Sequence, residues 1–116
     1  MPKRIKLMAD YRCFPLWDQS GDFPPNIDPH MLHLSLRTIE ALLEWANRYD
    51  ATLYPDDPAM SGFRTSSEAQ EFENQGLQLW RTLQNELGTD YEVSYFSNQE
   101  RRLLSPSNLV LHKMAY

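Results

Sequence analysis

The sequence predicts a small single-domain α/β sandwich of the α+β type, in which two amphipathic helices pack on one face of a short β-sheet. Apolar residues recur at helical spacing in two long segments, residues 35–49 and 65–87. Two shorter segments, Arg4–Ala9 and Tyr91–Phe96, alternate between the two faces of a strand. With 116 residues the chain is long enough to bury one core, so residues 1–116 are predicted to form one domain.

A long proline-rich loop is predicted after the first strand. Residues 10–34 contain Pro15, Pro24, Pro25 and Pro29 together with a Gly21-Asp22 turn signal. We expect these prolines to prevent regular strand pairing. A loop of about 25 residues is longer than compact domains usually carry, and its length favours a function.

Each predicted helix has its own start signal. Ser35 is a good N-cap for the first helix, and Thr65 and Glu68 have capping-box spacing for the second, which ends at Gly88. Gly76 lies inside the second apolar stripe, where glycine costs about 1 kcal/mol relative to alanine, so we expect another element to approach closely. The residues predicted to be buried together are Leu36, Ile39, Leu43, Phe72, Leu79 and Leu83.

The chain ends in a basic segment. Residues 99–116 contain Arg101-Arg102 and a break at Pro106, and we expect this segment to be loosely packed. Leu109–Leu111 is a candidate for one more short strand. The two main strands are expected to pair side by side, with both helices on the same face of the sheet.

The charge is unevenly distributed along the chain. The net charge is −5, but residues 14–100 carry 4 basic and 15 acidic side chains, whereas residues 1–13 and 101–116 each carry +3. A middle segment of −11 repels phosphate, so we expect no binding to nucleic acid. It attracts a partner with a basic surface, although solubility alone is a simpler explanation that stays open.

The sequence also predicts the cellular compartment of the protein. No apolar run approaches the ~20 residues of a membrane span, and the start of the chain does not fit a signal peptide. The single cysteine, Cys13, excludes an internal disulfide and suits a reducing compartment. We expect a cytoplasmic protein that makes no membrane contact.

The sequence gives little support for an enzymatic function. Cys13 with His30 or His33 is the one nucleophile and base combination, but no third group is placed to orient the base, and a buried structural thiol is the simpler interpretation. Asp28 lies near the two histidines, but Pro29 separates it from them in the chain. We therefore predict no catalytic residue, no metal site and no cofactor.

Two loop clusters are candidates for binding a protein partner. The first, residues 10–18 and the following turn, packs three aromatic residues into a loop, which forms either a lid on the core or an exposed anchor. The second, residues 54–58, forms either a local turn or an acidic projection. The candidate binding residues are Trp17, Asp18, Asp22, Tyr54, Asp56 and Asp57.

Several runs of the sequence resemble a family of small bacterial proteins. The opening run is Ile5-Lys6-Leu7-Met8-Ala9-Asp10-Tyr11, followed by Cys13 and Pro15-Leu16-Trp17. Later runs are Trp45-Ala46, Tyr49-Asp50-Ala51-Thr52-Leu53, Asp56-Asp57-Pro58-Ala59, Ser61-Gly62-Phe63, Phe72, Gly76-Leu77, Leu79-Trp80 and Tyr91-Glu92-Val93. The resemblance therefore covers residues 5–96 and leaves the basic tail outside.

That family includes immunity proteins of contact-dependent growth inhibition systems. The resemblance implies an inhibitor, not an enzyme, that binds the C-terminal toxin domain of a delivered effector, often a nuclease. We expect a monomer that neutralises a basic toxin domain by occluding its active or substrate-binding surface. Two alternatives stay open: a stand-alone cytosolic adaptor with an unknown partner and, less favoured, a small hydrolase that uses the acidic loops.

Overall fold

The computed structural model describes residues 1–53 and 62–108. The strands are β1 (Lys3–Leu7), β2 (Leu16–Asp18), β3 (Asn26–Ile27), β4 (Tyr91–Ser97) and β5 (Arg102–Leu104). The helices are α1 (Leu36–Asp50) and α2 (Ser66–Leu87), with single 3-10 turns at Pro29–Met31 and Gly88–Asp90. Within these described ranges, neither helix combines the length and the apolar character needed to cross a bilayer.

The strands form one five-stranded sheet in the order β3-β2-β1-β4-β5. β1 and β4 are parallel neighbours, with Ile5 opposite Val93, and the other pairs are antiparallel. The predicted pairing of the two main strands is confirmed. Because β1 and β4 run in the same direction, the loops that follow them leave from the same edge of the sheet.

The expectation of an unpaired loop over residues 10–34 is wrong at β2 and β3. Both strands begin directly after a proline, Pro15 or Pro25, so the paired residues lie between the prolines and keep their N–H donors. The Asn26 side chain reinforces this ribbon. Its amide donates to the carbonyls of Phe14 at 2.7 Å and Leu16 at 3.1 Å, and its Oδ1 accepts from Phe14 N at 2.9 Å.

The predicted helix ends are confirmed. Ser35 Oγ accepts a hydrogen bond from Thr38 N at 3.2 Å, and Thr65 Oγ1 accepts one from Glu68 N at 3.1 Å. Gly88 ends α2 with a φ of 72°, in the left-handed region that glycine adopts without a steric penalty. These local signals determine where both helices begin and where α2 ends.

The core lies between the two helices and one face of the sheet, and its largest fully buried side chains include Trp80, Tyr95 and Phe72. The prediction of joint burial is confirmed for Phe72, Leu79 and Leu83, and Ile39 is buried outside that core cluster. It is wrong for Leu36, which is 66% exposed, and Leu43 is only half-buried. The core-facing side of α1 is centred on Leu42, and Leu36 lies about 120° around the helix from it.

The close approach predicted at Gly76 is confirmed. A Cβ atom on Gly76 would lie 2.8 Å from Trp45 Cζ2 and 2.9 Å from Tyr95 Cζ. Both α1 and β4 therefore contact α2 at this glycine, and only a residue without a side chain fits between them.

The C-terminal segment contains one strand that the sequence analysis did not identify. Arg102–Leu104 pairs with β4 and forms an edge of the sheet. The candidate strand Leu109–Leu111 lies outside the described residues. The loose packing of residues 99–116 stays a prediction.

Candidate partner-binding surface

The sheet presents one face to the helices and the other to solvent, because successive strand residues point to opposite sides. The inner face contributes Ile5, Leu7, Leu16, Val93 and Tyr95 to the core. We call the other side the open sheet face; it comprises Arg4, Lys6, Trp17, Asn26, Glu92, Ser94, Phe96 and Leu103. None of these eight residues is buried, and none belongs to the core cluster.

The strand register determines the neighbours on this face. Lys6 lies at its centre, with Trp17 beside it on β2 and Ser94 on β4. Phe96 lies opposite Leu103 on β5. Strands are about 4.8 Å apart and same-face residues about 6.6 Å apart along a strand, so the face measures about 19 by 13 Å. Aromatic, aliphatic and cationic side chains thus share one small flat area.

Trp17 lies on the open sheet face and not over the core, whereas its neighbour Leu16 is part of the core. Leu16 is fully buried on the inner face, whereas the Trp17 ring is half-buried on the other side. The indole Nε1 of Trp17 donates a hydrogen bond to Met8 O at 3.0 Å. Phe14, in the same cluster, is 40% exposed. The indole is therefore held in position with part of its surface exposed.

The loop with Asp18 and Asp22 is bonded to the backbone of β1, and the register places Asp18 opposite Ile5 on the inner side of the sheet. The Asp18 carboxylate accepts hydrogen bonds from Gly21 N at 2.6 Å and Ser20 N at 3.3 Å, so it shapes the turn itself. Asp22 is exposed and accepts from Ser20 Oγ at 2.7 Å. Arg4 N donates to Ser20 Oγ at 3.2 Å, which links the loop to β1. Asp22 is thus the carboxylate of this loop that is available to a partner.

The second predicted cluster is not described by the structure. Tyr54, Asp56 and Asp57 fall within residues 54–61, outside the described residues. Their role in binding therefore stays a prediction.

The strands and the helices carry opposite charge. The strands hold four cationic side chains, Lys3, Arg4, Lys6 and Arg102, against the two carboxylates Asp18 and Glu92. The helices hold three arginines, Arg37, Arg48 and Arg81, against the seven carboxylates Glu40, Glu44, Asp50, Glu68, Glu71, Glu73 and Glu86. The helices therefore carry −4 of the −11 that the sequence assigns to residues 14–100, and the rest lies in the strands and connecting segments.

The loop after β1 is fastened to the end of α1. The Tyr11 hydroxyl lies 2.9 Å from Thr52 Oγ1, and the Tyr11 and Tyr49 rings are 4.5 Å apart. Arg12 has a φ of 60°, and its N–H donates to Asp50 Oδ1 at 2.9 Å. Burial, and then the nearby Tyr11 and Asp10, raise the pKa of Tyr49. These contacts hold the aromatic loop against the helical layer.

The Cys13 and histidine candidates make only local contacts. Cys13 is half-buried, and its Sγ lies 3.4 Å from Tyr11 O. Asp28 accepts from His30 N at 3.0 Å and lies 2.8 Å from His30 Nδ1, and these bonds lower the Asp28 pKa. They cap a single 3-10 turn. Across residues 1–53 and 62–108, no group of three or more potential ligands is placed to hold a metal ion.

Trp17 is the one residue of this surface among the candidates from sequence; Lys6, Phe96 and Leu103 were not among them. The alternation of Tyr91–Phe96 contained the signal for Phe96, because residues that alternate with buried Val93 and Tyr95 must point away from the core. Lys6 carried the same signal in β1. Leu103 gave no such signal, because β5 was not identified.

Comparison with known families identifies the family to which this chain belongs. Residues 3–98 match the family described as Serratia CdiI immunity protein-like, and the chain belongs to this family. The resemblance stated from residues 5–96 is confirmed. A search among curated proteins gave no match. Membership supports an immunity role in contact-dependent growth inhibition, implies a cognate toxin as the binding partner and points to a non-enzymatic function.

Proposed function

We propose that this chain is a cytoplasmic immunity protein that binds the toxin domain of its cognate growth-inhibition effector. The toxin domain is a nuclease with a basic surface, and the chain, a monomer on its own, neutralises it by covering its active or substrate-binding surface. The family match over residues 3–98 is the observation that carries this proposal.

Charge supports the choice of a basic partner. A nuclease needs positive charge to bind phosphate, and residues 14–100 of this chain carry −11. Complementary charge accelerates association, which is valuable when a toxin must be neutralised soon after it arrives.

The proposed binding residues are those in the two loop clusters. Trp17 belongs to the open sheet face, and Asp18 and Asp22 lie in the loop that follows its strand; Tyr54, Asp56 and Asp57 complete the proposed set. Loops held by a rigid scaffold are the usual place for binding residues. Because the Asp18 carboxylate shapes its own turn, Asp22 is the better test position in the first loop.

Co-expression with the toxin domain encoded beside this chain's gene tests the proposal. We expect the two proteins to copurify and the equimolar mixture to lose the nuclease activity of the free toxin. An active toxin and no complex at micromolar concentrations would contradict the proposal. Copurification with an unrelated protein would favour the adaptor instead, and turnover in a metal-dependent activity screen would favour the hydrolase.

The second loop is tested by charge reversal. Asp56→Lys with Asp57→Lys is expected to slow association with the toxin domain and to weaken its salt dependence, while the fold survives. Glu40→Lys with Glu44→Lys on the exposed side of α1 is the matched control, because it changes the net charge equally. Native melting together with association rates equal to those of the control pair would remove this loop from the interface.

A further inference from the structure

The open sheet face leaves three large apolar side chains outside the core. Trp17, Phe96 and Leu103 lie on three different strands, and Leu103 is 49% exposed. The residues that alternate with them, Leu16, Tyr95 and Leu104, are almost completely buried on the inner face. Aromatic side chains in such a position are typical centres of protein interfaces.

Lys6 places a positive charge on the open sheet face. Its side chain is half-buried between the rows of Trp17 and Ser94. The two ion pairs found among the described residues join His30 to Asp28 and Arg102 to Glu100, so neither involves Lys6. A half-buried ammonium group between Trp17 and Ser94 favours a partner that brings a carboxylate to it.

We infer that the open sheet face is the docking surface for the toxin domain, which seats an apolar patch on Trp17, Phe96 and Leu103 and places a carboxylate beside Lys6. The inference rests on the proposed function and adds the chemistry of the toxin's contact surface. The toxin domain carries basic charge elsewhere, and at this contact it is apolar with an acidic group.

Charge argues against a second copy of this chain as the occupant. A symmetric dimer over this face would be related by an axis near its centre, so the two Lys6 side chains would approach each other. Like charges in an apolar contact are unfavourable. A toxin surface with a carboxylate at that point has no such penalty.

The size of the face indicates which neighbouring loop also takes part. An area of about 19 by 13 Å is only about 250 Å², whereas a stable interface buries about 800 Å² on each partner. The loop with Asp22 is bonded to the backbone of β1 at Arg4, so it is a neighbouring segment that can add contact area. The docking surface therefore has its apolar centre on the sheet and extends beyond the eight residues of the face.

A pair of leucine variants tests the location. Leu103→Asp is expected to raise the dissociation constant for the cognate toxin domain by at least about tenfold. Leu36→Asp is the control, because Leu36 is 66% exposed at the start of α1 and receives the same substitution. It is expected to bind within about twofold of the wild type. Equal binding by both variants would overturn the inference.

A pair of charge variants tests the carboxylate and remains informative if Leu103→Asp fails to fold. Lys6→Glu and Arg37→Glu change the net charge equally, so both strengthen long-range attraction to a basic toxin. Only Lys6→Glu is expected to bind more weakly, by about tenfold. Equal or tighter binding by Lys6→Glu than by Arg37→Glu would contradict a carboxylate at that point.

The outcomes separate this inference from the proposed function. If the wild type does not bind the toxin domain, the proposed function fails and the inference falls with it. If the wild type binds and the sheet variants bind as well as their controls, only the inference is overturned. A wild-type dimer that Leu103→Asp dissociates would assign the face to a second copy and would also overturn it.

Discussion

The open sheet face and the outer surface of the helices are opposite sides of the same small domain, and they differ in chemistry. The sheet side combines Trp17, Phe96 and Leu103 with Lys6, whereas the helices carry seven carboxylates against three arginines. Charge acts over a distance and apolar contact acts only at the surface. The net charge of −5 therefore does not describe the sheet surface that we infer binds the toxin.

The two sides also differ in what they contribute to stability. The helical layer is joined to the sheet by buried polar contacts: Trp80 Nε1 donates to Val93 O at 2.7 Å, and Glu73 accepts from Tyr95 at 2.9 Å and from Ser97 at 2.6 Å. Burial, and then the charge of Glu73, raise the pKa of Tyr95, which keeps its hydroxyl a donor. Leu103 on the open sheet face makes none of these contacts and is 49% exposed, so it can be changed to test binding with little effect on folding.

The largest expected effect is on the free energy of unfolding. It distinguishes a buried leucine on the helical side from an exposed leucine on the sheet side. Leu79→Ala is expected to lower the free energy of unfolding by about 2–5 kcal/mol, because it opens a cavity in the core. Leu103→Ala is expected to lower it by less than about 1 kcal/mol. Urea unfolding of both variants measures this. An unfolding midpoint for Leu79→Ala equal to that of the wild type would contradict the placement of α2.

Overpacking gives the next largest effect. Gly76→Ala places a Cβ against Trp45 and Tyr95 and is expected to destabilise the fold by about 1–3 kcal/mol, despite the better helix propensity of alanine. Gln78→Ala, at an exposed position of the same helix, is the control and is expected to stay within about 0.5 kcal/mol of the wild type. A more stable Gly76→Ala variant in thermal melts would show that α1 and β4 do not approach α2 this closely.

A smaller effect concerns Glu86, which joins the end of α2 to the start of α1. Burial acts to raise its pKa, but hydrogen bonds from Ser35 N at 2.7 Å, from the Thr38 hydroxyl and from Ser35 Oγ outweigh it. The pKa of Glu86 therefore lies below its ordinary value of 4.5.

A carboxylate with a lowered pKa stabilises the fold above its unfolded-state pKa and loses that contribution as the pH falls through its folded-state pKa. Glu86→Gln is expected to cost about 0.5 kcal/mol at pH 7, since the group is largely exposed. The difference should shrink as the pH falls below 4.5. Melting curves from pH 7 to pH 3 measure it, with Glu40→Gln as an exposed control. A difference in stability between the wild type and Glu86→Gln that stays constant over this pH range would contradict the lowered pKa of Glu86.

The smallest expected effect is on toxin binding by variants at residues that lie neither on the open sheet face nor in the helices. Cys13→Ser and the double change His30→Ala with His33→Ala are expected to leave toxin binding within about twofold of the wild type, because these residues make only local contacts. Isothermal titration against the toxin domain measures this. A folded variant that no longer binds would place these residues in the interface.

Local signals explain which parts of the fold were predictable from sequence. The caps at Ser35, Thr65 and Gly88 depend on neighbouring backbone groups, so they can be identified without knowing the fold. β2 and β5 are only three residues each, and they form because a partner strand lies beside them. Leu36 was misplaced because an apolar stripe gives the core-facing side of a helix only approximately.

The candidate surface was predictable in part for the same reason. Trp17 is conspicuous in any loop, and the sequence analysis named it. Lys6, Phe96 and Leu103 form a surface only when their strands are side by side and both helices lie on the opposite face. That arrangement follows from the order of strands in the sheet, which no short segment contains.

Side-chain oxidation footprinting of the chain, alone and bound to its toxin domain, tests the central claim most directly. The claim is that the toxin is bound through the open sheet face. We expect Trp17 and Phe96 to become protected in the complex, while Met31, which is 53% exposed and lies outside that face, stays equally reactive. Equal oxidation of Trp17 and Phe96 with and without the toxin domain would contradict the claim.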